Sequence, residues 1–315
     1  MFDSIHSFKY MLSLSQQDCE AYCREKRLER YQKYGGGHIT NLPLHSFAHK
    51  VFMPFLKASL YMEGKRLNIL RDDRIKTDRP IIFCPTHIGG VDIEMSFLSI
   101  QTPCWLVLGD PREFYRNFDG FLLQLNGVIV LDVLIKEDRK VAKAQMKELL
   151  RKGGNLLLFP EGVQNISPNA LINPLFAGAV DLAIDCGADI VPIALCRRGD
   201  SYYSIIGENI CYEGCQPEER DILTNELRNR MATLKWEIIE KLPQIHRENV
   251  KESDYDDFVN NVLSLDASYT WSIDDIKNGR YHPKDVVEHE DAFDFAESLA
   301  PNKDNAFLFD KRLIG

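Results

Sequence analysis

The chain has 315 residues, 44% hydrophobic and 27% charged, with a net charge of −9. That length buries a sizeable core, the composition is that of a globular protein, and the acidic balance excludes nucleic acid as the main partner. No apolar run reaches the roughly 18 residues that span a bilayer, so any membrane contact is expected to be peripheral. Residues 1–80 hold 14 Lys and Arg against 9 Asp and Glu, whereas residues 251–315 hold 7 against 15. A basic front end suits an anionic membrane surface, and an acidic back end suits a solvated face or a partner surface. Eight cysteines without a secretory signal pattern point to a reducing cytoplasm. Cys84, Cys104, Cys186 and Cys196 lie in apolar stretches and read as core thiols. Cys19/Cys23 and Cys211/Cys215 lack the usual zinc spacing, so no metal site is expected.

In chain order, residues 15–34 read as an exposed helix, with Ser15 and Asp18 resembling a capping box and Gly35-Gly36-Gly37 ending it. Over 44–60, the residues Leu44, Phe47, Ala48, Val51, Phe52, Phe55, Leu56 and Leu60 form an apolar helical stripe, which Pro54 should kink or break. His45, Lys50 and Lys57 fall off the stripe. His45 and His49, at i,i+4, read as polar-face residues, although that spacing also suits two ligands of one metal. A Phe-rich, lysine-edged helix of this kind fits either a membrane interface or the protein's own sheet. Strands are expected at 80–85, 103–108, 127–132, 154–159 and 189–195. Between them lie a helix at 137–152 and another at 174–186, with Asn173 as N-cap, Pro174 at N1 and Gly187 past its end. Alternating strands and helices imply a mostly parallel central sheet flanked by helices, an α/β fold. Residues 217–246 suggest a long charged helix, and segments at 257–263 and 291–296 suggest short ones.

Two stretches carry chemistry. In Thr86-His87-Ile88-Gly89-Gly90-Val91-Asp92, a His and an Asp five residues apart follow the buried run Ile81-Ile82-Phe83-Cys84. His87 therefore falls past the carboxyl end of a strand, where open α/β sheets place their ligands. A regular helix would turn Asp92 about 140° away from His87. The pair meets only if the backbone bends, which Gly89-Gly90 permits. A carboxylate on one imidazole nitrogen would leave the other to act as general base, with no protein nucleophile. By itself, His-x4-Asp is a common chance pattern. The second stretch is Leu156-Leu157-Leu158-Phe159-Pro160-Glu161-Gly162, another buried run ending in a polar group. Two such strand ends at one edge of a parallel sheet strengthen each other.

Together these pieces resemble the glycerol-phosphate and lysophospholipid acyltransferase superfamily over about residues 45–215. His87 and Asp92 match its His-x4-Asp motif. Phe159, Pro160, Glu161 and Gly162 match its Phe-Pro-Glu-Gly motif, and Val191-Pro192-Ile193-Ala194-Leu195 matches its proline-centred strand. The resemblance implies an O-acyltransferase with no cofactor. It would move a fatty acyl group from a thioester donor, acyl-CoA or acyl-carrier protein, to a hydroxyl of a lipid or small-molecule acceptor at a membrane surface. His87 would be the general base and Asp92 its support. Phe159 and Pro160 would belong to the substrate-binding motif, Glu161 would hold the acceptor, and Gly162 would leave room for it.

The sequence also departs from the family. Thr86 stands where Asn or Ser is common, Val133 where an arginine ends the second motif, Val163-Gln164-Asn165 where Thr-Arg-Ser usually follows, and Phe176-Ala177 where a basic residue often precedes a glycine. Neither Val133 nor Gln164 supplies the bidentate charge that grips a phosphate. Arg112, Arg116, Lys136, Arg139, Arg197 and Arg198 are the candidate replacements, and an acceptor without a phosphomonoester is expected. The layout expected is N-terminal helices over 1–62 as a membrane-interface element, an acyltransferase-like core over 63–215, and an acidic helical extension over 216–315. Localisation is expected to be cytoplasmic and peripheral to the membrane. The competing expectation is a catalytically silent, membrane-associated lipid-binding protein that keeps the fold.

Overall fold

The five apolar runs expected as strands all enter one sheet in the computed structural model, which describes residues 5–35, 42–109, 126–132, 135–167, 170–244, 246–251, 253–265 and 272–283. They are β2 (Ile81–Pro85), β3 (Trp105–Leu108), β4 (Val128–Val130), β5 (Leu156–Leu157) and β6 (Asp189–Arg198). Three more strands carry no clear sequence signal: β1 (Arg66–Asp72), β7 (Ser201–Ile206) and β8 (Ile210–Cys211). The strand order is β1-β7-β6-β2-β5-β3-β4, with β8 added against β6. All pairings are parallel except those of β6 with β7 and with β8. The β6–β7 reversal uses Gly199, at φ +59°, in a two-residue connection that favours such backbone.

Helices cover the sheet: α1 (Ile5–Ser13), α2 (Gln16–Tyr34), α3 (Leu42–Met62), α4 (Asp92–Ile100), α5 (Lys136–Arg151), α6 (Gly178–Cys186), α7 (Arg220–Lys241), α8 (Asp254–Leu265) and α9 (Ile273–Gly279). Successive strand residues face opposite sides, so the strands feed two cores. Ile82 and Leu156 pack with Leu149 of α5, Val180 of α6 and Met231 of α7. Phe83 and Leu157 pack with Phe97 of α4, Met11 of α1 and Cys19 of α2. The helix read as exposed, α2, therefore lies over the core through Cys19 and Cys23. Its Arg27 grips the buried Asp138 of α5 with Nε at 3.2 Å and Nη2 at 3.0 Å. The described residues up to Tyr281 form one compact unit.

Three local expectations need correction. First, α3 runs through Pro54 from Leu42 to Met62. Pro54 lies on the exposed face, where water can satisfy the carbonyl it frees. Second, the apolar stripe of α3 divides. Leu44, Phe47, Val51 and Phe55 are exposed, and the two histidines expected on the polar face are buried. Third, α6 begins at Gly178 behind Ala177, without Asn173 as N-cap. The Asn173 N–H is taken by Glu161, and the carbonyls of Ile172 and Asn173 accept from Arg228, so 172–173 cannot open a helix. The short segment expected at 291–296 lies outside the described residues, while the one at 257–263 lies within α8.

Candidate active site

β2 and β5 are neighbours, and both motif loops leave their carboxyl ends. The loop after β2 bends as the glycines allow, with Gly89 at φ +77° and Gly90 at φ +68°. Asp92, in the first turn of α4, then folds back over it. Its Oδ2 accepts from the His87 Nδ1–H, the Ile88 N–H and the Gly89 N–H, each at 2.8 Å. Three donors on one oxygen of a buried carboxylate stabilise its charge and fix the loop. The bond at Nδ1 assigns the tautomer and leaves Nε2 as the basic nitrogen. The Phe159 ring lies against the imidazole, with centroids 4.4 Å apart and planes tilted by 33°.

Glu161 does not stand where an acceptor-holding carboxylate was expected. It is fully buried. Oε1 accepts the His87 N–H at 2.9 Å and Oε2 accepts the Asn173 N–H at 2.8 Å. Burial pushes this carboxyl above the usual range, opposed by the charge of Lys235 and by the two backbone donors. Its position is inward, between the two motif loops. Gly162 leaves room for the Phe176 ring. It has φ +76°, and a Cβ there would come within 2.5 Å of the Phe176 ring. The buried Pro160 accepts the Phe176 N–H at 2.9 Å, which brings that ring over the glycine.

The His87 carbonyl accepts the Asn165 N–H at 2.9 Å, a further tie between the two loops. Thr86, buried beneath them, accepts the Leu195 N–H at 2.9 Å and donates to the Leu195 carbonyl at 3.2 Å, pinning the root of the His87 loop to β6. Sequence reasoning missed Arg228 and Lys235 on α7. They bind carbonyls of the 171–173 turn, Lys235 at 2.8 Å from the Leu171 oxygen. Their spacing of seven on one helix was the available signal.

Two of the candidate cations, Arg197 and Arg198, are engaged elsewhere. Arg197 donates to the Gly199 carbonyl at 2.7 Å and lies over the Tyr202 ring. Arg198 binds the Pro243 carbonyl. Arg139 and Lys136 are exposed in the first turn of α5. Arg112, Arg116 and Val133 lie outside the described residues. Gln164 is buried, its Cγ 3.3 Å from where a Gly89 Cβ would be.

Residues 66–196 match the family model described as Acyltransferase. This matched stretch, which is similar to that family, contains the whole His87–Asp92 loop and the Phe159–Gly162 loop. Among curated proteins the chain is similar to a 1-acyl-sn-glycerol-3-phosphate acyltransferase of Chlamydomonas reinhardtii, 23% identical over 171 residues, covering 54% of this chain and 47% of that one. A chloroplastic 1-acyl-sn-glycerol-3-phosphate acyltransferase of Brassica napus is 25% identical over 171 residues, covering 50% of this chain and 46% of that one. The chain thus spans about half the length of the curated relatives it matches. Its fold is that of the 1-acyl-sn-glycerophosphate acyltransferase PlsC of Thermotoga maritima, with a TM-score of 0.51 at 15% identity, over 72% of this chain and 91% of that one. These findings bear out the superfamily resemblance and the α/β fold expected from sequence.

Proposed function

We propose that this protein is an O-acyltransferase that moves a fatty acyl group from a thioester, acyl-CoA or acyl-carrier protein, to a hydroxyl of a glycerol-based lipid. The observation that carries this reading is the 2.8 Å contact of His87 Nδ1 with Asp92 Oδ2, inside the stretch that matches the Acyltransferase family model. With Nδ1–H held by the carboxylate, Nε2 takes the proton of the acceptor hydroxyl as its oxygen attacks the thioester carbonyl carbon. The C–S bond then breaks, and the imidazolium returns the proton to the leaving sulfur. Asp92 orients the ring and stabilises its charged form without itself taking the proton.

The 1-acyl-sn-glycerol-3-phosphate acyltransferase names of the relatives support a glycerolipid acceptor. The replaced cations support an acceptor whose headgroup lacks a terminal phosphomonoester. Attachment to the cytoplasmic face of a membrane is part of the same reading. No helix among the described residues is long and apolar enough to cross a membrane. The exposed Leu44, Phe47, Val51 and Phe55 of α3 supply an interfacial face.

The test is transfer by the purified protein from acyl-CoA or acyl-carrier protein to a panel of hydroxyl lipids. His87→Ala is expected to lower the rate by about 10²–10⁴. Equal rates for variant and wild type overturn the mechanism. Vesicle binding with no turnover across the panel replaces it with a silent lipid-binding role.

A further inference from the structure

The catalytic loop is also touched from outside the matched stretch. A Cβ on Gly89 would come within 2.9 Å of Val262 Cγ1 and 3.8 Å of the Val262 carbonyl, so α8 lies directly against the loop at that glycine. The Gly89 N–H is one of the three donors to Asp92 Oδ2. Val262 is not isolated. With Val259 of the same helix and Ile276 of α9 it forms an apolar cluster on Val163 and Ile166, which follow the Glu161–Gly162 motif. A Cβ on Gly279, at the end of α9, would lie 2.7 Å from Val163 Cγ1. Tyr281 sets its ring 5.2 Å from that of Phe176, the ring covering Gly162. α8, α9 and Tyr281 therefore press on both motif loops at once, although the family match ends at residue 196.

We infer that Val262 is a positioning residue: α8 clamps the His87–Asp92 loop through Gly89 and holds the geometry in which Asp92 orients the imidazole. This rests on the acyltransferase reading for its catalytic consequence, while the clamp itself is a statement about the loop. A glycine at φ +77° is soft, because it has no side chain of its own to pack. Contact with a β-branched side chain of few rotamers removes that softness. Without it the Ile88 and Gly89 N–H groups leave Asp92 more often. A misplacement near 1 Å in such a site can cost up to about 10²-fold in rate.

The experiment compares wild type, Val262→Ala, Val262→Thr and Val259→Ala in the full chain. Val259→Ala makes a comparable hole in the same cluster, one turn along α8 from the contact of Val262 with Gly89. Val262→Ala is expected to lower kcat about tenfold with KM within about twofold, and to speed amide hydrogen exchange at Ile88 and Gly89. Val262→Thr, which keeps the shape, and Val259→Ala are expected to stay near wild type in both. If Val262→Ala does not fold, Val262→Cys carries the same comparison. Unchanged exchange at Ile88 and Gly89 in Val262→Ala overturns the clamp, as do equal effects from Val259→Ala. Exchange is read without substrate, so absence of turnover in wild type would defeat the acyltransferase reading and leave the clamp to be decided by exchange.

Discussion

Glu161 holds His87 by the backbone: the His87 N–H donates to Glu161 Oε1 at 2.9 Å, and the other carboxylate oxygen reaches the Asn173 N–H at 2.8 Å. The two residues leave the ends of adjacent parallel strands, so one buried side chain joins the loop that carries the base to the turn before α6. In Glu161→Gln one acceptor oxygen becomes an NH₂ that faces an N–H donor. A buried donor without an acceptor costs about 1–3 kcal/mol. Urea unfolding should show a loss of that size, with a lower kcat because the His87 backbone is released. A variant as stable and as active as wild type would show the brace to be dispensable.

His45 and His49 hold α3 to the sheet from its inner face. His45 Nε2–H donates to the Asn126 carbonyl, and His49 Nδ1–H donates to Asn126 Oδ1 at 2.9 Å. Burial pushes the His45 imidazole down to about 4 and lowers His49 as well. The unfolded chain takes up the His45 proton near 6.5, the folded chain only near 4, so falling pH favours unfolding. The contribution is intact above about 6.5, is lost progressively towards about 4, and is worth about 3 kcal/mol for a shift of that size. Denaturant unfolding at pH 7 and pH 4 measures most of it, and His45→Gln should flatten the difference.

The outer face of α3 makes the opposite prediction. Phe47 is 66% exposed and Phe55 71%, so neither supports the fold. Replacing both by Asp should abolish co-sedimentation with anionic vesicles and change stability by no more than about 0.5 kcal/mol per site. Loss of folding in the double variant would show that this face packs within the protein. Retained vesicle binding would move the membrane contact elsewhere.

The proposed acceptor can be tested through its charge. Arg228 and Lys235 bind backbone carbonyls of the 171–173 turn, and Gln164 and Phe176 stand where the family often has cations. A phosphate dianion in a partly buried site needs paired charge, because unpaired burial is expensive. With the same donor, lysophosphatidic acid should react about tenfold more slowly than a lysophospholipid whose phosphate is capped. A strong preference for the phosphomonoester would point instead to Arg112 or Arg116 as the grip.

The amino-acid sequence by itself indicated five of the strands and singled out His87 and Asp92 as a pair. Runs such as Ile81–Cys84 and Leu156–Leu157 lie in strands because their apolar residues must be buried, and Gly89-Gly90 is where the chain can bend between His87 and Asp92. These are local facts, written in consecutive residues. The direction in which Glu161 points, the inward turn of His45 and His49, and the arrival of Val262 at Gly89 depend on which strands become neighbours and on contacts across tens to more than a hundred residues. Only the tertiary structure decided them. A buried carboxylate takes whatever donors the packing brings to it, and for Glu161 those are backbone N–H groups of two loops that no spacing in the sequence connects.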